Sequence, residues 1–591
     1  MTSVSTPLYF PSGGGFLFGW LHQPAAELRT DVGLIVCEPF GYEAICAHRS
    51  LRTIADACAG IGVATLRFDY AGTGDSTDIE DDEEQISRWC GDILAAVEEL
   101  RRRCGVRRVY VLGVRLGALL ASLAPIQGAV DGLIALVPVV NGRRYLRELR
   151  AYQAGAAADG PPAAADGTLE VAGFFLSAAS VARLTGLDLL KVTSSPQRVL
   201  ILDRSDLPAA GAWADGLRAL GAEVDYRSLP GFPEMVSTPH AALTPQLMLD
   251  ALLDWLRRLE PVPLSPSPSP SRLPSPTAAA PVEMHFRTVQ GVELIERAVF
   301  LDSERRLFAI VCAAASIPGA APPSTRRGVV LLNAGATSHV GPNRMYVELS
   351  RQWAARGYSV LRLDLAGLGD SNTRPGRPDN EVYPPRAIDD IALGVEYLRR
   401  EHGVESVTLA GLCAGAYHAL RSATAGLAID TLLMINPLTF YWQEGMTLSD
   451  LQIGEVVRNP GIYAERIFEP RAWRRVLRGH VNLPRIAAVF RRRIALAVGS
   501  SLRDVGRLMN IHFSNDLGSE LNRLARQHTR MVFIFARGEA GATLLRLQGG
   551  SALTAIVDNC RVHSIDGADH IFSQSLPRRE LQRLLSSELS G

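Results

Sequence analysis

The chain has 591 residues, of which 47% are hydrophobic, 21% charged and 7% aromatic, a composition that excludes disordered, collagen-like and coiled-coil chains. Lys and Arg together number 61, as do Asp and Glu, so no overall field draws the protein to nucleic acid or to an anionic membrane. Eight cysteines without a CxxC pair argue against a disulfide scaffold and a structural zinc site, and for a reducing compartment.

The N-terminus, MTSVSTPLYFPSGGG, lacks the basic and apolar regions of a secretion signal. No uninterrupted run of about 18 apolar residues follows, so a cytoplasmic protein without a membrane span is expected. Short β-branched runs come next: GLIVC at Gly33, VATLRFD at Val63, VYVLG at Val109, LIALV at Leu133 and RVLILD at Arg198. Helical stretches such as ISRWCGDILAAVEELRRR separate them, which predicts a mostly parallel sheet with helices on both faces. The longer segment from Asn141 to Gln197 is expected to form a lid over the carboxyl ends of the strands.

From Glu260 to Pro281 the chain reads EPVPLSPSPSPSRLPSPTAAAP, which has too few large apolar side chains to bury a core and predicts an extended spacer. It separates a domain at 1–259 from one at 282–591. The second half repeats the first: GVATLRFDYAGTGDS at Gly62 matches GYSVLRLDLAGLGDS at Gly357, and GVRRVYVLGVRLGALLAS at Gly105 matches GVESVTLAGLCAGAYHAL at Gly403. Two matched blocks in one order predict duplication of one fold, with contact between the copies. In the second copy the lid is expected over about 438–530.

Within VTLAGLCAGAYHALRSA a strand ends, a GxCxG turn follows, and a helix begins near Ala414. Glycines at 411 and 415 suit a strained strand-to-helix turn, which lifts Cys413 to the top of the sheet at a helix N-terminus, where the dipole favours a thiolate.

This elbow, the DxxGxGDS loops and the closing GADH resemble the α/β-hydrolases, particularly the serine-aminopeptidase-like branch of hydrolases and acyltransferases. The resemblance covers nearly the whole chain outside the spacer. It implies two tandem α/β-hydrolase domains, with Cys413 as nucleophile, Glu539 in MVFIFARGEAG as the orienting acid and His570 in GADH as general base and acid. Asp566, Asp569 and Asn436 are rivals to Glu539. Backbone amides of Ala336 and Ala414 are the implied oxyanion donors. His339 reads as a loop residue satisfied by neighbouring backbone, and Asp364 and Asp370 as loop-fixing.

Aligned through the same marks, the first half has Arg115 opposite Cys413, Asp206 at the acid position and Glu234 opposite His570. Arginine stays protonated and cannot be a nucleophile, so this half reads as a pseudoenzyme whose Arg115 and Glu234 form an ion pair, joined by Asp206, in the former site. His240 is a minor candidate for an unrelated activity.

A cysteine at the elbow resembles that of polyhydroxyalkanoate synthases and carrier-protein aminoacyl transferases, and also that of dienelactone hydrolases. Transfer is therefore as natural as hydrolysis, on an ester or thioester whose donor could be CoA or an acyl carrier protein. The arginine-rich lid segment RIFEPRAWRRVLRGHVNLPRIAAVFRRRI suits either donor or a solvated helix face. No metal or bound redox cofactor is expected. The opposing reading is a non-catalytic scaffold of two such modules.

Overall fold

The computed structural model describes residues 4–80, 83–123, 126, 128–156, 167–260, 262, 264, 282–288, 290–315, 325–443, 446 and 515–590. Most of the spacer expected over 260–281, and most of the lid expected over about 438–530 with its arginine-rich run, lie outside these residues.

The first sheet uses β1 (Val4–Ser12), β2 (Gly15–Gln23), β3 (Val32–Cys37), β4 (Ala64–Phe68), β5 (Arg108–Val114), β6 (Gly132–Leu136), β9 (Arg198–Arg204) and β10 (Glu223–Leu229). Their spatial order is β1-β2-β4-β3-β5-β6-β9-β10. The pairs β1–β2 and β2–β4 are antiparallel, and the strands from β4 to β10 run parallel. The segment between β6 and β9 carries the helices Gly142–Ala156 and Ala178–Gly186 and a hairpin of β7 (Leu169–Val171) and β8 (Phe174–Leu176).

The second sheet comprises β11 (Val282–Arg287), β12 (Glu293–Phe300), β13 (Phe308–Ala314), β14 (Arg327–Leu332), β15 (Ser359–Leu363), β16 (Ser406–Leu412), β17 (Thr431–Ile435), β18 (Arg530–Ala536) and β19 (Cys560–Ile565). Its order, β11-β12-β13-β15-β14-β16-β17-β18-β19, repeats the first with one added edge strand. Central strands such as VGLIVC are buried along their whole length, as strands covered on both faces must be. Each sheet accordingly packs a separate apolar cluster on each face.

The halves meet across β2 and β13. Trp20 sits on Phe308 with ring centroids 4.8 Å apart, and Phe18 and Phe300 complete the aromatic seam. Around it each half places the aspartate of its GxGDS loop among cations of the other. Arg67 of β4 donates to Asp370 at 3.0 Å, and Arg362 of β15, the repeat-related residue, pairs with Asp75. Arg52 donates to the Ser371 carbonyl at 3.0 Å, while Arg344 donates to the Ser76 carbonyl at 2.7 Å.

His339 belongs to this network, which corrects the expectation that local backbone satisfies it. It is buried, with Nδ1 2.7 Å from Asp364 and Nε2 2.7 Å from Asp75 of the first half. Burial opposes its charge, but the Asp364 and Asp75 carboxylates outweigh burial and hold its pKa well above the ordinary histidine value. His339, Asp364 and Asp370 bring ligand-type atoms within 4.8 Å of one another, yet each already serves these ion pairs. Asp364 also fixes its own loop, accepting from the amides of Asp370 and His339.

Candidate active site

The two elbows share one backbone conformation. Cys413 has φ 57° and ψ −112°, and Arg115 has φ 53° and ψ −113°, a strained region for residues with side chains. The flanking glycines are sterically required. A Cβ on Gly411 would lie 2.5 Å from the Gly415 backbone, and one on Gly415 would lie 2.6 Å from the Leu332 carbonyl. The Cys413 amide donates to the Ile435 carbonyl at 2.8 Å, fixing the turn to β17. Of the eight cysteines only Cys413 and Cys104 are partly open to solvent.

Cys413 caps the helix Ala414–Thr424, so the first-turn amides, including that of Ala414, have no intrahelical partner. Ala336, from the loop after β14, packs against the apolar cluster of Val382, Tyr383 and Ala414. The two residues whose amides are expected to hold an oxyanion thus belong to one apolar cluster.

His570 follows β19, and its Nδ1 lies 3.3 Å from Glu539 Oε2. Burial pulls its pKa down, whereas Cys413, through charge and a hydrogen bond, and then Glu539 push it up to about 10. Glu539 is buried at the head of the helix Ala540–Gly549. The three rivals are engaged elsewhere. Asp566 pairs with Arg537, and Asp569 accepts from the Ser573 amide at 2.7 Å. Asn436 donates to the His570 carbonyl at 2.7 Å and accepts from the Ala536 amide at 2.8 Å, tying the histidine loop to β18.

Two tyrosines complete the surroundings without having been singled out in the sequence. Tyr346 accepts the Leu412 amide at 3.0 Å and so braces the elbow. Tyr383 stacks on Trp442 at 4.2 Å and meets Tyr417 edge-on at 5.1 Å. Its hydroxyl is buried without a hydrogen-bond partner among the described residues, and burial and then Cys413 raise its pKa above the ordinary tyrosine value. Tyr383 lies in the polar loop EVYPPR, where no motif marks it.

In the first half the expected Arg115–Glu234–Asp206 cluster does not form. Arg115 donates to Glu43 at 3.0 Å and to Glu148, from the inserted helix, at 2.6 Å. Phe232 and Met235 bury one face of the short helix Phe232–Met235 and leave Glu234 exposed on the other. Phe232 lies under both Arg115 and Arg204, at 5.9 and 5.6 Å. Asp206 is taken by Arg204, whose Nε is 2.8 Å away. The hydrogen bond of His240 among the described residues is to Thr238 Oγ1, at 3.4 Å.

Residues 324–457 match the family described as serine aminopeptidase, S33. This match, with the strand order and elbow above, supports the α/β-hydrolase superfamily for the second half. No curated protein sequence matches the chain. Solved structures similar to it include Est1E of Butyrivibrio proteoclasticus with bound ferulic acid, at 20% identity over 42% of this chain and 98% of that one, with a TM-score of 0.33. A proline iminopeptidase-related protein of Thermus thermophilus matches at 18% identity over 43% of this chain and 98% of that one, TM-score 0.32. Among the described residues no helix is long and apolar enough to cross a membrane.

Proposed function

We propose that the C-terminal half is an enzyme that hydrolyses or transfers the acyl group of an ester or thioester through an acyl-Cys413 intermediate. The observation that carries this reading is a half-open cysteine on the elbow, with His570 on the loop after β19 and its Nδ1 3.3 Å from Glu539; against burial, Cys413 and then Glu539 raise the His570 pKa to about 10. In the reaction Cys413 Sγ attacks the carbonyl carbon as a thiolate, and the amides of Ala336 and Ala414 receive the developing oxyanion. The bond to the leaving group breaks as His570 gives it a proton. Water, or an amine, hydroxyl or thiol acceptor, then yields a proton to His570, attacks the thioester and frees Cys413. Tyr383, buried beside Cys413 with an unengaged hydroxyl, is available to the substrate as a hydrogen-bond donor.

The first half, spanning 1–259, is read as a duplicated copy without this chemistry, its elbow closed by the Arg115 ion pairs. Intact-protein mass spectrometry after incubation with acyl-CoA, acyl-carrier and simple aryl ester donors tests the proposal. The expected result is one acyl adduct on the wild type and none on Cys413→Ala. An adduct that persists in Cys413→Ala, or turnover unaffected by it, would overturn the mechanism.

A further inference from the structure

A cavity of about 650 Å³ lies between the halves, away from Cys413, lined by the loops after β3 and β4 of the first half and by residues 337–344 of the second. Its charge follows from one sequence difference at equivalent places. Asn333 follows β14 and donates from Nδ2 to Asp364 at 2.8 Å. Glu38 follows β3 in the same register, so the counterpart aspartate, Asp69, faces a second carboxyl instead of an amide. Asp364 also has the His339 cation at 2.7 Å.

No equivalent cation contacts Asp69, and Glu38 makes no hydrogen bond or ion pair among the described residues. Of the bases that line the cavity, Arg67 and His48 face Asp370, Arg344 serves Asp78 and the Gly74 and Ser76 carbonyls, Arg578 donates to the Gly173 carbonyl, and Arg579 is exposed, with no ion pair to Glu38 or Asp69 among the described residues. A second, independent feature lies in the same wall. Asn343 is 3% exposed, and among the described residues neither its Oδ1 nor its Nδ2 has a hydrogen-bond partner. Buried amides are almost always satisfied, so this one leaves a polar group in the cavity wall open to a ligand or to water. Phe40 and Phe174, whose rings lie 6.0 Å apart, and Trp20 give the cavity an aromatic side.

We propose that this inter-half cavity binds an organic cation, a protonated primary amine on an apolar body, with the ammonium between Glu38 and Asp69. The carboxyls supply the missing counter-charge in reverse, the aromatic rings take the apolar body and the cation's face, and the Asn343 amide receives a polar substituent. Without ligand, burial raises both acids to about 7, and for Asp69 the charges of Glu38 and then Asp75 add to it. Asp370 also raises Glu38, while Arg67 opposes the rise at Glu38 and His48 opposes it at Asp69. Near neutral pH the pair therefore retains a proton, and an arriving ammonium displaces it to the buffer.

The experiment is titration calorimetry of the full chain at pH 7 with phenethylamine and with its neutral counterpart 2-phenylethanol, each in two buffers of different ionisation heat. The amine should bind once per chain with proton release, and the alcohol at least about tenfold more weakly. Glu38→Gln should weaken the amine by about tenfold and abolish the buffer dependence, and Phe174→Ala should weaken both compounds. Cys413→Ala should bind as the wild type does, which separates this site from the proposed catalytic one. Equal binding of amine and alcohol, unchanged binding in Glu38→Gln, or no saturable heat up to about 10 mM amine would overturn the proposal.

Discussion

Residues 113–117 and 411–415 form the same turn on the same strand of repeated sheets, with backbone angles at the central residue agreeing within 4°. One turn presents a half-open thiol near His570, whose pKa, against burial, Cys413 and Glu539 raise. The other presents a guanidinium held by two glutamates, one of them delivered by the inserted helix Gly142–Ala156. The strain of the elbow is thus kept in both copies, whereas the cysteine of the proposed mechanism stands in one. Backbone geometry at this position belongs to the fold, since the glycine contacts and the amide bond to the neighbouring strand maintain it whatever side chain stands there. Function depends on what the surrounding loops aim at that side chain.

The sharpest way to break the comparison is to exchange the elbow side chains for inert ones. Cys413→Ala is expected to lower acyl turnover by at least about 1,000-fold, and Arg115→Met to leave turnover per folded molecule unchanged, both read by ester or thioester kinetics. Loss of turnover in a folded Arg115→Met protein would make the first elbow part of the mechanism.

The next effect concerns the cross-wise interface. Arg362, Asp75 and Glu296 are each no more than 1% exposed, so Arg362→Met removes a buried cation from two carboxylates, leaving Asp75 to His339 and Glu296 to Arg351, and should cost about 3 kcal/mol. The repeat-related change Arg67→Met should fall in the same range. Denaturant midpoints of the full chain measure both, and losses under about 1 kcal/mol would mean that the halves do not depend on these pairs.

A smaller effect separates the two sites by pH. The folded-state pKa of His570 lies near 10, above its ordinary 6.5, so its favourable charge is complete below about 6.5 and is lost as pH rises through about 10. If the imidazolium is the acid for the leaving group, kcat/KM falls about tenfold per pH unit above that point. Glu539→Gln should move this limb to lower pH, because Glu539 is one of the groups that raises the pKa. A limb that stays in place would remove Glu539 as the orienting acid.

The smallest effect is stability at the silent elbow. Arg115→Met should cost about 1–2 kcal/mol, because Glu43 and Glu148 are partly solvated. Adding Glu234→Leu should change this by no more than about 0.5 kcal/mol, as expected for groups without shared contacts.

Much of the arrangement around Cys413 could be anticipated from the chain, because the elbow glycines and the GADH ending are local patterns with local steric reasons. The repeat itself announced that a second sheet would follow the order of the first. Long-range pairing was not legible in the same way. The GxGDS loops were visible, but nothing local indicates that Asp75 meets Arg362 and His339, since those partners depend on how the halves dock. Glu234 failed for a related reason: its alignment with His570 was sound in sequence, yet a buried Phe232–Met235 face turned it outward. Tyr383 was missed because a single aromatic in a polar loop carries no periodic signal.

The exchange of aspartates between the halves also sets a clock on the making of the protein. Asp75 and Arg362 are separated by 287 residues, and at about 5–20 residues per second a ribosome needs roughly 15–60 s to pass from one to the other. During that interval the nascent first half carries Asp75, Arg67 and the Trp20 and Phe18 rings without the partners that cover them in the finished molecule. A message broken or paused between these codons would release a chain with its charged and aromatic docking face open, a ready substrate for chaperones and proteases.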